Sequence, residues 1–206
     1  MSKITCIYPK EANTEFLEPV FDAICKIDGA IGIDEESDED NYLEKIERHT
    51  KNCELVVFLG HGSSKALYGQ RDNTLFDEQN LVPFQNKRNL IFACRSAEFI
   101  KRYKLEGSLG FGFIPSSLED IKGGDLHKMR IDHLVSEDVD CLCSSISNIW
   151  LRTLDETDIL NLERFNINFR FHTNLEIVRL LKKKEPKNYR DIADILYYIV
   201  NDMELS

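Results

Sequence analysis

Two residues in this 206-residue chain stand where a nucleophile and its base would stand. His61 lies between Gly60 and Gly62, directly after the apolar run Leu55 to Leu59. Cys94 closes a second run, Leu90 to Ala93. A thiol attacks a carbonyl carbon as its thiolate, and an imidazole within reach takes the proton. The same imidazole can then protonate the leaving amine. Glycine on both sides of His61 lets the backbone approach a substrate closely. The Gly62 amide could donate to the oxyanion that develops on the attacked carbonyl. Cys94 also precedes an expected helix, whose N-terminal dipole should favour a thiolate.

Such a pair works only if the surrounding elements bring it together. Ile4 to Tyr8 reads as a first strand, stopped by Pro9. Phe16 to Ile27 carries apolar residues at helical spacing, and Ala30 to Ile33 reads as a short strand. An acidic run, Asp34 to Asp40, leads into an amphipathic helix over Asn41 to Asn52. Leu55 to Leu59 and Leu90 to Ala93 are continuous and β-rich, as suits strands covered on both faces. Ala97 to Tyr103 reads as a helix, and Ser108 to Ile114 as a third buried strand closed by Pro115. Helical periodicity then runs over Asp125 to Leu154, Leu175 to Lys184 and Tyr189 to Met203. Strands alternating with helices predict an α/β fold with a mostly parallel sheet. The whole chain, 1–206, is expected to form one domain, with an α/β core over 1–120 and a helix-rich portion over 121–206. In open parallel sheets ligands bind beyond the carboxyl ends of the strands, where His61 and Cys94 would meet if their strands are neighbours.

The stretches Phe58-Leu59-Gly60-His61-Gly62 and Ile91-Phe92-Ala93-Cys94-Arg95-Ser96 resemble the motifs of caspase-like cysteine peptidases. That group includes caspases, metacaspases and the bacterial peptidases with a CHAT domain. The resemblance covers about residues 1–120 and implies a three-layer caspase-like fold and cysteine endopeptidase activity. It makes His61 the general base and acid, Cys94 the nucleophile, and the amides of Gly62 and Cys94 the oxyanion hole. It also implies a peptide or protein substrate and activation by a partner protein or by a stress or defence signal. Eukaryotic caspases carry Gln-Ala-Cys-Arg-Gly at the nucleophile. Here Phe92 replaces the glutamine and Ser96 the glycine. Metacaspases often carry an aspartate where Phe92 stands. The motif spacing, 94 − 61 = 33 residues, is shorter than the ~50 of caspases and suits a compact prokaryotic member. Cleavage is therefore expected after a basic or a small residue, not after aspartate. The Asp34 to Asp40 run is the candidate for attracting a basic substrate.

Composition narrows the remaining choices. With 26 basic and 36 acidic residues the net charge is −10, which disfavours a nucleic-acid partner. No apolar run approaches the ~18 residues of a membrane span, and no secretory signal is visible, so no membrane partner is expected. The six cysteines are scattered, not spaced as a disulfide framework, and point to a reducing, cytoplasmic setting. Cys141 and Cys143, with His133 nearby, read as core packing, and neither a metal nor a cofactor is expected. His49, His127 and His172 read as surface or cap residues, and Arg71-Asp72-Asn73 as a turn. The rival readings are a caspase-like sensor or scaffold without turnover, and an unrelated nucleotide-binding domain, which the missing phosphate loop disfavours.

Overall fold

The computed structural model describes residues 3–34, 39–123, 131 and 133–206. His127 and most of the Asp34 to Asp40 run lie outside them, as does the start of the periodic stretch from Asp125. The chain forms β1 (Ile4–Tyr8), a 3-10 segment (Ala12–Leu17), α1 (Glu18–Cys25), β2 (Ala30–Asp34), α2 (Glu39–Thr50) and β3 (Leu55–Leu59). Three short strands follow, β4 (His61–Gly62), β5 (Leu67–Tyr68) and β6 (Thr74–Phe76). Then come β7 (Arg88–Phe92), α3 (Ser96–Tyr103), β8 (Ser108–Gly110) and α4 (Leu118–Gly123). The remainder is α5 (Ser136–Glu156), α6 (Leu162–Lys183), α7 (Tyr189–Asn201) and β9 (Glu204–Leu205).

The fold is α/β, with a central sheet in the order β2-β1-β3-β7-β8-β9. Every pairing in it is parallel except the last, β8 with β9. β1 and β3 are buried at every residue, so their side chains alternate between two cores. Leu55, Val57 and Leu59 enter one core with Leu90 and Phe92, while Val56, Phe58 and Ile91 enter the other. The first core also takes the inner faces of α1, α5, α6 and α7. The second takes Tyr42 and Ile46 of α2 and Phe99 and Ile100 of α3. Trp150 of α5 is fully buried, with ring centroids 5.3 Å from Phe92, 5.0 Å from Phe165 and 5.7 Å from Phe169. Truncating such a ring costs about 3–5 kcal/mol, so this cluster fastens the C-terminal helices to the sheet beside Cys94.

Several expected boundaries move. The third strand ends at Gly110 rather than Ile114. The carbonyls of Phe111 and Gly112 instead accept from the amides of Ala97 and Arg95, closing the N-terminus of α3. α6 begins at Leu162, well before the expected Leu175, because it is apolar on more than one face. It buries Phe165, Phe169 and Leu180 while Ile167, Phe171 and Val178 stay exposed, which blurs the helical contrast. His172 is buried, not a surface residue, and its Nε2 lies 3.1 Å from Glu156. Cys143 lies in the first core and Cys141 packs partly against it. No helix among the described residues is long and apolar enough to cross a membrane.

Gly110 sets how closely α3 sits on β8. A Cβ there would meet the backbone N and Cα of Ala97 at 2.6 and 2.8 Å. Those atoms belong to the first turn of α3, where the Ala97 amide is bonded to the Phe111 carbonyl, and cannot swing aside. Gly110→Ala is expected to lower stability by about 3 kcal/mol, read as a fall in the urea midpoint at constant m-value.

Candidate active site

The site grows from the register of three parallel strands. Ile7 pairs with Phe58, and Leu59 pairs with Phe92, so β1, β3 and β7 end at one edge of the sheet. The Gly60 amide extends the ladder one step by donating to the Phe92 carbonyl at 3.1 Å. The segments leaving these three ends carry Glu11, His61 and Cys94.

His61 is not in a free loop. It pairs with Tyr68, and Gly62 with Leu67, in the antiparallel hairpin of β4 and β5. Ser63 closes that hairpin, its amide donating to the Ala66 carbonyl at 2.8 Å. Gly62 lies tight against the turn that carries the thiol. A Cβ on it would meet the Ala93 Cβ at 2.8 Å and the Cys94 carbonyl oxygen at 3.3 Å. Only a residue without a side chain allows the two motifs to approach this closely.

Cys94 is held by the turn that follows it. Arg95 adopts the left-handed region, with φ 57° and ψ 25°. The Ser96 hydroxyl donates to the Ile91 carbonyl at 2.6 Å and accepts from the Phe111 amide at 2.8 Å. Ser96 thus ties the ends of β7 and β8 together, which gives the serine in place of glycine a structural role. The Cys94 amide has no hydrogen-bond acceptor among the described residues.

His61 and Cys94 line one small cleft. Thr14, Phe16 and Leu17 of the 3-10 segment close one side, and Ile114 and Ser116 another. The space inside is about 10 Å³, room for roughly one water. No hydrogen bond joins the pair. The Cys94 thiol instead donates to the Ile114 carbonyl at 2.9 Å and accepts from the Ile114 amide at 3.4 Å.

The thiol's electrostatics differ from the expectation. Burial pushes the Cys94 pKa up to about 12, outweighing the Ile114 hydrogen bond and the Arg95 charge, which lower it. The helix dipole does not rescue the thiolate. The amides of Arg95, Ser96 and Ala97 already donate to the carbonyls of Gly112, Ala93 and Phe111. With those N–H groups taken, the positive end of α3 has little to offer the sulfur.

One residue of the site was not singled out from sequence. Glu11 Oε2 lies 3.5 Å from His61 Nε2, with both side chains about a fifth exposed. Its other oxygen accepts from the Arg71 amide, where Arg71 takes a positive φ of 55° in a 3-10 turn (Gln70–Asp72). This is the role of the turn around Arg71: it anchors the carboxylate that faces the imidazole. The available signal was positional, since Glu11 follows the end of a strand at the carboxyl edge. Cys141, Cys143 and His133 do not join this site, and His133 lies 3.2 Å from Asp191. No cluster of metal-ligating side chains occurs among the described residues.

Compared with protein-family models and with curated protein sequences, the chain matches none.

Alkali should weaken the fold through its thiols. Burial also pushes the Cys143 thiol up to about 12, against an ordinary value of 9.0. The folded chain keeps protons on Cys94 and Cys143 that the unfolded chain releases. The stability they confer is complete below pH 9 and drains as the pH rises toward 12. By about pH 11 the loss should reach about 3 kcal/mol for each thiol. Urea unfolding at about pH 8 and about pH 11 measures the drop. A Cys94→Ala, Cys143→Ala double variant should lose less between the two.

Proposed function

We propose that this chain is a caspase-like cysteine endopeptidase acting through His61 and Cys94. One observation carries the reading. The two residues follow adjacent parallel strands and line a single cleft, with Gly62 packed against the Cys94 turn. The sheet order and the cores on both of its faces are compatible with a caspase-like fold.

The chemistry runs as follows. Rotation of the Cys94 side chain releases the Ile114 carbonyl and turns the sulfur to the imidazole. His61 takes the thiol proton, and the thiolate attacks the carbonyl carbon of the scissile peptide. Negative charge passes to the carbonyl oxygen, where the amides of Cys94 and Gly62 stabilise it. The oxyanion collapses, the C–N bond breaks, and His61 gives its proton to the leaving amine. Water, deprotonated by His61, then hydrolyses the thioester and restores the thiol. Glu11 is a positioning residue: its carboxylate faces Nε2 and supports the imidazolium formed in each half-reaction. The reaction needs no cofactor.

In its resting form the Cys94 thiol holds its proton at neutral pH, so activity requires a change at the cleft. That change is the rotation of the Cys94 side chain away from Ile114, which substrate binding drives while the packed walls stay in place. The inferred setting is the reducing cytoplasm, where the thiol stays free. A second reading, a caspase-like sensor or scaffold without turnover, draws on the same thiol's bond to Ile114. A thiol-reactive peptide probe separates the two, because it labels Cys94 only in an active enzyme.

Cys94→Ala and His61→Ala should each lower kcat/KM on a peptide library by about 10³-fold or more while the circular dichroism spectrum is kept. Cleavage by Cys94→Ala at the wild-type rate overturns the assignment. Glu11→Gln should lower kcat about tenfold with little change in KM, and Glu11→Asp should recover part of the loss. A fall confined to KM would remove Glu11 from the positioning role.

A further inference from the structure

We propose that the preferred substrate carries glycine or alanine immediately before the bond that Cys94 attacks. This rests on the peptidase reading and adds a substrate class to it.

The attacked carbon must come within about 3–3.5 Å of the Cys94 sulfur. The side chain on that same residue must then fit the recess beside the sulfur. That recess is the cleft of about 10 Å³, which holds a methyl group and little more. Its walls are not free to retreat. Thr14, Leu17, Phe92 and Ile114 are each 5% exposed or less. Phe92 is further wedged between Phe111, at a centroid distance of 4.7 Å, and Trp150, at 5.3 Å. Packed walls of this kind resist even one added methylene.

Charge is excluded as well as size. The recess has no acidic lining residue, and its one titratable base is His61, the catalytic imidazole. A lysine, arginine or aspartate side chain entering it would lose water and meet no free opposite charge on the lining, since Glu11 already faces His61, Asp120 is bonded to Ser116 and Arg95 pairs with Glu98. The cavity of about 590 Å³ bounded by Arg95, Gly112 and Asp202 is roomier, but neither His61 nor Cys94 lines it. Of the two preferences expected from sequence, basic or small, the site therefore favours the small one.

Phe16 is the wall that can be changed. It is half-buried on the 3-10 segment and packs against the first core only from its rim, so shortening it opens the recess while the fully buried core residues stay in place. The experiment measures kcat/KM on fluorogenic peptides that differ only before the scissile bond, with Gly, Ala, Leu, Arg or Asp there. Wild type should cleave after Gly or Ala about 100-fold faster than after the other three. Phe16→Ala should raise cleavage after Leu about tenfold relative to Ala, and Phe16→Leu should shift it less in the same direction. Circular dichroism checks that both variants are folded. Fastest wild-type cleavage after Leu, Arg or Asp overturns the size rule and leaves the peptidase reading standing. An unchanged preference in both folded Phe16 variants overturns the assignment of the limit to this recess. Failure to cleave any peptide, with Cys94 reduced, overturns both.

Discussion

The parallel pairing of β3 with β7 is the constraint on which the rest depends. Its register sets Leu59 beside Phe92, and the next residues of both chains leave the sheet together. A one-residue slip would exchange the two faces of each strand, sending Val57 and Leu90 to the wrong core. The register is therefore enforced by burial along the whole strand, not by contacts at the site. His61 and Cys94 inherit their proximity from the packing of Val56, Val57, Leu90 and Ile91, none of which could take part in chemistry.

Burial that fixes the geometry also restrains the chemistry. Closing the cleft with the 3-10 segment and the Ile114 segment removes water from around the sulfur. In that environment a thiolate loses more solvation than its neighbours return, so the proton stays on Cys94. Asp120 adds to this and Arg95 opposes it, but burial is the largest influence. The same segment brings Glu11 to the imidazole. One short piece of chain after β1 thus shapes the recess, shields the thiol and supports the base.

The C-terminal helices serve this arrangement from behind. α5, α6 and α7 close over the face of the sheet that carries Phe92, through Trp150, Phe165 and Phe169. α5 and α6 also share a polar contact, in which the Ser145 hydroxyl donates to the buried Glu176 at 2.9 Å. Arg179 pairs with the same carboxylate and helps hold its pKa below the ordinary value despite burial. Behind Cys94, then, stands a rigid aromatic layer, which is why the wall made by Phe92 does not yield.

Local pattern alone determined a large part of this protein. The bounds of β1 and β3 are those of their apolar runs, since a strand buried on both faces needs an unbroken run and ends where it breaks. The Gly60-His61-Gly62 and Ala93-Cys94 motifs marked the two strand ends, because strands and turns are short-range features. Tertiary structure decided what short range cannot. The two-residue strands β4, β5 and β9 have no period to read: β4 and β5 exist only as the arms of one hairpin, and β9 only because β8, distant in sequence, satisfies it. β8 stopped at Gly110 because its continuation was claimed by the amides of α3, a competition invisible along the chain. Glu11 reached His61 across 50 residues of sequence through the β1–β3 pairing. The state of the thiol was likewise a matter of the third dimension. Sequence supplied a cysteine before a helix, but desolvation depends on everything packed around the sulfur, and that sum pushed its pKa up instead of down.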